Sequence, residues 1–347
     1  MLKIAVIFGG KSSEYEVSLQ SATSVLKHLD KKQYEIYPIG ITQQGTWYYY
    51  TGDYASIEAD TWQQDCRLLK ELQLKLDLKT KGFILPNDTL LAIDVAFPVL
   101  HGKNGEDGTI QGLLEMLQIP YVGCGILASA LCMDKDRAHR LVQEAGIRSP
   151  QAITLKKSDQ NFQMDLAYPV FVKPIKAGSS LGISCVNEQA TLNTAIELAF
   201  QYDDVIIIEE AIEGFEVGCA VMGYDELTVG RVDEIEIHQS FFDFQEKYHP
   251  ESAKIHAPAR LSAQLEKEIQ ETACRIYQIL GCQGLARVDL FLTPQQTLVF
   301  NEVNTLPGFT ANSRFPTMMK LAGIPFDALL NQLIHSALEA FEGKDNE

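Results

Sequence analysis

Gly284-Leu-Ala-Arg-Val-Asp-Leu-Phe-Leu-Thr-Pro-Gln-Gln-Thr-Leu-Val-Phe-Asn-Glu-Val-Asn-Thr-Leu-Pro-Gly308 is the stretch from which the rest of the chain can be read. It predicts two strands joined by a turn at Thr293-Pro294-Gln295-Gln296. Side chains alternate along a strand, so Arg287 and Asp289 share one face of the first and Glu302 and Asn304 one face of the second. Pairing the strands would bring an arginine, two carboxylates and an amide onto one surface. Oxygen-only donors beside an arginine suit a Mg²⁺ ion carrying a polyphosphate, because hard divalent ions prefer carboxylate, amide and phosphate oxygen. The alternative is a solvated hairpin face with a chance ion pair. Asp and Asn are poor strand residues and need a reason to be there, which favours the metal–nucleotide reading.

Outward from the hairpin, 347 residues predict two or three domains. A net charge of −17 argues against nucleic acid as the main partner, since a phosphate backbone selects a basic face. An anionic substrate would need local Lys and Arg against that field. The seven cysteines are scattered and contain no Cys-x-x-Cys pair, a reduced, cytosolic pattern. The opening apolar run is too short for a membrane span and leads directly into Gly9-Gly10, so no membrane partner and a cytoplasmic location are expected.

Strand 3–8, a glycine loop, a helix from Tyr15 with Val17, Val25, Leu26 and Leu29 on one side, and strand 36–41 predict a β-α-β opening. Strand 95–100 runs into His101-Gly102-Lys-Asn-Gly105-Glu106-Asp107-Gly108 and a helix over 109–117. Alternating strands and helices predict a mostly parallel α/β domain over residues 1–124, with its site at the strand ends carrying Gly9-Gly10 and His101-Gly102. A central lobe, 125–208, follows, with a helix over 135–145 and strands at 169–173 and 205–209. A C-terminal lobe, 209–347, carries the hairpin. Residues 240–259 are aromatic, charged and aperiodic and predict a loop over a site.

Phe171-Val-Lys173-Pro174 followed by Gly178-Ser179-Ser180-Leu-Gly182 puts a lysine at a strand end before a small-residue loop. Backbone N–H groups and hydroxyls there could wrap phosphate oxygens. It is not a Walker A loop, and a mere connection reads equally well. Val205-Ile-Ile-Ile-Glu209-Glu210-Ala211-Ile212 ends an apolar strand in acids that could border an adenine or simply be solvated.

In order, a helix lysine, a strand lysine with a Gly-Ser loop, a Glu-rich strand end, Arg-x-Asp and Glu-x-Asn resemble the ATP-grasp superfamily, in which two α+β lobes hold ATP. Glu14-Tyr-Glu-Val-Ser18-Leu, His101-Gly102, Met133-Asp-Lys135, Lys173-Pro174, Gly178-Ser179-Ser180, Glu246-Lys247-Tyr248 and Asn304-Thr-Leu-Pro-Gly308-Phe-Thr narrow the resemblance to the D-alanine–D-alanine ligase family, over essentially the full length. The resemblance implies an ATP-grasp fold behind an N-terminal parallel α/β domain, and an ATP-dependent ligase of peptidoglycan precursor synthesis acting through D-alanyl phosphate. It implies ATP and two Mg²⁺ (or Mn²⁺) ions as cofactors and a homodimer. Lys135, Lys173, Ser180 and Lys247 would serve the ATP phosphates, Glu209, Glu210 and Ile212 the adenine region, and Glu216 the ribose. Asp289, Glu302 and Asn304 would hold the metal. Arg287 and the Gly308 backbone would stabilise the oxyanion. Glu14, with Ser179, Tyr248 and His101, would serve the first D-alanine, Ser313 the second substrate's carboxylate, and 240–259 would be the lid.

Arg314, Phe244 in Phe242-Asp243-Phe244, and Ala311-Asn312 depart from the usual D-alanine-adding pattern. Arg314 and Phe244 resemble the vancomycin-resistance ligases that make D-alanyl-D-serine, as does the Glu-Tyr-Glu-Val-Ser-Leu-Gln-Ser opening. A guanidinium at the pocket can hydrogen-bond a hydroxymethyl group where an aliphatic chain favours a methyl. D-serine is therefore the expected second substrate, with D-alanine as the alternative. Tyr248 argues against depsipeptide synthesis. A non-catalytic ATP-binding protein on the same fold would lack the metal acids or Lys135 and Lys173, and all are present.

Overall fold

The computed structural model of the chain describes every residue except 74–80, 160–161, 177, 179–180, 238–252 and 345–347. Ser179, Ser180, Phe244, Lys247, Tyr248 and most of the expected lid therefore lie outside the described residues.

The N-terminal elements are β1 (Leu2–Gly9), α1 (Tyr15–His28), β2 (Tyr34–Ile41), β3 (Trp47–Tyr50), α2 (Tyr54–Glu58), β4 (Leu69–Glu71), β5 (Gly82–Ile84), β6 (Leu90–Ala92), β7 (Val95–Val99) and α3 (Thr109–Met116). Their main sheet has the order β4-β3-β2-β1-β7. β1 pairs in parallel with β2 and β7, while β3 and β4 extend the edge antiparallel. Residues 4–8 of β1 are fully buried, which explains an unbroken apolar run in a strand covered on both faces. Gly9 has φ +85°, and a Cβ there would collide with the Ile41 carbonyl, so only glycine turns the chain here. The Ser18 hydroxyl accepts from Gly9 N–H (2.8 Å) and donates to the Val99 carbonyl, fixing α1 against the ends of β1 and β7. The buried stripe of α1 is Tyr15, Leu19, Ala22 and Leu26, at helical spacing. Val17, which the periodicity grouped with the core, instead lines the cavity described below.

Helices α4 (Ile126–Met133) and α5 (Lys135–Glu144) lead to the central lobe, β8 (Ala152–Lys156), β9 (Val170–Pro174), β10 (Ser184–Val186), α6 (Gln189–Ala199) and β11 (Val205–Glu210), an antiparallel sheet in the order β10-β9-β11-β8. The C-terminal part has β12 (Phe215–Gly223), β13 (Leu227–Val229), β14 (Asp233–Ile237), β15 (Ala253–His256), α7 (Ala263–Ile279), β16 (Gly284–Leu292), β17 (Leu298–Asn304), α8 (Arg314–Leu321) and α9 (Phe326–Lys344). Its sheet runs β15-β14-β12-β16-β17, with β13 on β12.

Packing cuts across the expected boundaries at two places. The expected division at residue 125 groups α4 and α5 with the central lobe. Their apolar residues Ala128, Cys132, Ala138 and Val142 instead share a core with α7 and the C-terminal sheet. Helices α8 and α9 pack on the N-terminal sheet, with Phe315, Met318, Leu329 and Ile334 in the cluster that holds Ile4, Val6 and Phe97. The aperiodic segment expected over 240–259 also contains β15, an edge strand paired with β14 from Ile237↔Ala253 to Glu234↔His256. No helix among the described residues is long and apolar enough to cross a membrane.

Candidate active site

Strands β16 and β17 pair as an antiparallel hairpin, Arg287 opposite Asn304 and Asp289 opposite Glu302. Alternation then puts all four side chains on one face. Arg287 binds Asp289 through Nε (2.8 and 3.0 Å) and Nη2 (2.7 Å), and Asn304 Nδ2 donates to Asp289 (2.9 Å) and reaches Glu302 (3.5 Å). Just past Asp289 the register slips, so β17 carries Asn301 as an extra residue. A bulge leaves its extra residue out of the ladder. The Asn301 carbonyl is accordingly open to His139 Nε2 of α5 (2.8 Å).

Above this floor sits Arg314, the first residue of α8. It donates to Asp233 through Nε (2.7 Å) and Nη2 (2.8 Å) and to Glu216 through Nη1 (2.9 Å), and Nη2 lies 3.4 Å from Asp289. Its side chain is only 10% exposed, so it neither faces solvent nor hangs loose. The guanidinium has five N–H donors, and these three hydrogen bonds do not exhaust them. Glu216, expected at the ribose, directs its carboxylate at Arg314 and at Asn301 Nδ2 (3.4 Å).

The N-terminal domain supplies the opposite wall. Gly102 and Gly178 both pack on the Glu14 carboxylate: a Cβ at Gly178 would lie 2.7 Å from Oε2, and one at Gly102 would collide with the same oxygen. The strand-end Gly102 and Gly178 are thus brought to the acid for which the family resemblance implies an ammonium partner. His101 is buried, its Nδ1 on the Leu306 carbonyl (2.9 Å) and its Nε2 on Ser21 Oγ (3.1 Å). Burial opposes its charged form, but the Glu106 carboxylate, with Glu14 and the Leu306 carbonyl, outweighs that and raises its pKa. Ser21 and Ser24 of α1 accept from Phe309 and Ala311 N–H (3.2 and 3.1 Å), docking the loop that carries Gly308 and Ser313. Ser313 Oγ accepts from Thr310 N–H (3.0 Å) and faces Gly308.

On the central-lobe side, Asp134 caps α5 by accepting from Arg137 N–H (3.2 Å), which sets Lys135 at the first helical position. Lys135 Nζ lies 3.6 Å from Glu302, and Lys173 Nζ 2.6 Å from Glu209. Burial pushes the Glu209 pKa up, but Lys173, then His139 and Lys135, outweigh it and hold the carboxyl below its usual range. Glu210 turns to the Gln151 N–H (3.0 Å) and Arg148 (3.5 Å), and Ile212 is half-buried in the connection to β12.

A cavity of about 350 Å³ joins these parts. Glu14, His101, Lys135, Arg287, Glu302, Asn304, Gly308, Ser313 and Arg314 all line it. Glu216 and Asp289 stand behind its wall through Arg314, while Lys173 and Glu209 pair with each other away from the lining. Two carboxylates and an amide form the donor set of Asp289, Glu302 and Asn304. This all-oxygen set fits Mg²⁺, which typically takes one or two protein carboxylates and completes its shell with water and substrate phosphate.

The comparisons with known proteins agree with this geometry. The D-ala D-ala ligase N-terminus family matches residues 3–124, and the D-ala D-ala ligase C-terminus family residues 141–335. The chain belongs to the D-alanine–D-alanine ligase family. It is an ATP-dependent ligase on the ATP-grasp fold, behind an N-terminal domain with parallel strands. The ligase is 45% identical to the vancomycin C-type resistance protein VanC1 of Enterococcus gallinarum, over 98% of this chain and 99% of that one. It is 44% identical to a D-alanine–D-alanine ligase of Caldicellulosiruptor bescii, over 97% and 95%. The crystal structure of the VanG D-Ala:D-Ser ligase from Enterococcus faecalis superposes with a TM-score of 0.91 at 53% identity, covering 97% of this chain and 99% of that one.

Sequence reasoning missed Asp233, Gly218 and His139. A glycine inside the apolar run of β12 is a standard sign of close approach by another group, and Asp233 opens an alternating strand; both were readable signals. The partnership of His139 with the bulge at Asn301 had no local signal.

Proposed function

We propose that this ligase joins D-alanine to D-serine, with Mg²⁺-bound ATP as the energy source, to make a peptidoglycan precursor. The observation that carries the choice of D-serine is Arg314. A guanidinium is fixed by three carboxylates at the cavity wall beside Ser313, where it can donate to a hydroxymethyl group. The similar VanG D-Ala:D-Ser ligase supports the same choice.

In this reading Glu14 takes the ammonium of the first D-alanine, aided by Ser179 and Tyr248. Lys135, Lys173 and Ser180 take the ATP phosphates, Lys247 the γ-phosphate, and Glu209, Glu210 and Ile212 the adenine; Glu216, expected at the ribose, instead holds Arg314. Asp289, Glu302 and Asn304 would hold Mg²⁺, which offsets negative charge on the phosphate oxygens. The D-alanine carboxylate attacks the γ-phosphorus, the bond to the β-phosphate oxygen breaks, and ADP leaves. Ser313 holds the carboxylate of the second amino acid. Its amine attacks the acyl carbon, and the carbonyl oxygen takes charge against Arg287 and the Gly308 N–H. Phosphate then departs and the amine loses its proton. Closing the site prevents water from consuming the acyl phosphate.

D-alanine as second substrate is the alternative, favoured by the Caldicellulosiruptor relative's name. Incubation with ATP, Mg²⁺, D-alanine and D-serine together decides between them. D-alanyl-D-serine as the main dipeptide is expected, and D-alanyl-D-alanine alone would overturn the reading.

A further inference from the structure

Gly218 lies on β12 between Glu216 and Ala220, opposite Asp289 of β16 and Asp233 of β14. A Cβ built on it would clash with Arg314 Nη2 and would lie 2.7 Å from Asp233 Oδ1 and 3.0 Å from Asp289 Oδ1. It thus faces the point where one guanidinium meets two acids. Its backbone is not in the left-handed region, so turn geometry does not require glycine here. Its N–H donates to Asp233 Oδ1 (3.0 Å), helping to aim the acid that binds Arg314 twice. Nor can the guanidinium simply swing aside. Its plane is held by Asp233 and Glu216, and moving it would take the counter-charge from the fully buried Asp233.

We propose that Gly218 is a specificity-determining position: its missing side chain is the space that lets Arg314 reach the second-substrate end of the cavity. A residue with a Cβ at 218 and an arginine at 314 in this pose are mutually exclusive. The choice of second amino acid is therefore encoded on a pair of positions 96 residues apart rather than on Arg314 alone. This inference rests on the reading of Arg314 as the group that meets the second substrate.

The test is a cycle of Gly218→Ala, Arg314→Leu and the double variant, with kcat and KM measured for D-serine and D-alanine as second substrates. Gly218→Ala is expected to raise KM for D-serine roughly ten- to a hundredfold and to move the D-serine to D-alanine ratio in the same direction as Arg314→Leu. In the Arg314→Leu chain the same change should alter KM by less than about twofold, because residues sharing one contact are not additive. Melting curves of all four proteins give an independent reading: the Tm loss from Gly218→Ala should shrink once Arg314 is gone. Equal effects in both backgrounds, or a Gly218→Ala enzyme with wild-type KM values, would overturn the inference. A wild-type enzyme that uses only D-alanine defeats the D-serine reading instead. The loss of additivity, scored on D-alanine, then still tests the pair.

Discussion

The cations proposed for the ATP phosphates and those proposed for the acceptor are held in opposite ways. At the proposed phosphate end, Lys173 and Lys135 meet Glu209 and Glu302 through ammonium–carboxylate contacts of 2.6 and 3.6 Å. At the proposed acceptor end, Arg287 and Arg314 are gripped by Asp289, Asp233 and Glu216 through forked hydrogen bonds. An ammonium is a compact point charge that can trade a carboxylate oxygen for a phosphate oxygen with little change in shape. A guanidinium locked from several sides keeps one plane and one set of directions. On the proposed assignment, the lysines are suited to exchanging partners during turnover and the arginines to recognising shape.

The largest effect should come where the ends meet. Glu302 touches Lys135 on one side and Asn304 on the other. Glu302→Gln keeps the volume but removes a charge from an oxygen-only site. Turnover at saturating Mg²⁺ should fall on the order of a thousandfold, a loss of several kcal/mol. Phosphate-release rates near wild type would remove Glu302 from the metal set. The next effect isolates the phosphate end. Lys173→Met removes the 2.6 Å partner of the buried Glu209 carboxylate and should destabilise the protein by about 3–5 kcal/mol. Adding Glu209→Leu should restore much of that stability in urea unfolding while leaving ATP turnover low. If activity returned together with stability, Lys173 would be structural only.

The contrast between the ends also marks how much the sequence could say. The hairpin face was legible because period-two alternation and a four-residue turn fix which side chains share a side; Arg287, Asp289, Glu302 and Asn304 meet as their spacing requires. Gly9-Gly10 and His101-Gly102 were legible as strand-end loops of a parallel sheet, where the backbone delivers side chains to one rim; Glu14 was named only through the family resemblance. The partners of Arg314 were not. Asp233, Glu216 and Asp289 come from three different strands, and only the order β14-β12-β16 brings them side by side. The docking of α9 on the N-terminal sheet was hidden for the same reason, since an amphipathic pattern states that a face is buried but not against what.

The acceptor end offers a sharper comparison through a smaller effect. Arg314→Leu should lower the D-serine to D-alanine product ratio by about one to two orders of magnitude, the worth of one hydrogen bond from a charged donor. An unchanged ratio in competition at fixed D-alanine donor would mean that the carboxylates hold Arg314 for structure alone.

His101 gives the smallest expected effect and a third way of holding a cation. Arginines do not titrate in the working range, so the acceptor network should contribute no pH dependence near neutrality. His101 does titrate, and its surroundings raise its pKa when folded: burial opposes the charge, but Glu106, Glu14 and the Leu306 carbonyl outweigh it. The sign follows from linkage. A group whose pKa is higher in the folded than in the unfolded chain stabilises fully below the unfolded value, near 6.5, and loses that contribution as pH rises through the folded value. The ligand-free protein should therefore lose Tm as pH climbs from about 6 into the alkaline range, and His101→Gln should flatten that part of the slope. Because His101 holds Leu306 and Ser21 together, the same rise in pH should loosen the loop bearing Gly308 and Ser313, seen as faster amide exchange over 305–313. Parallel Tm–pH curves for the two proteins would show that His101 keeps one charge state throughout, leaving the loop's docking to Ser21 and Ser24.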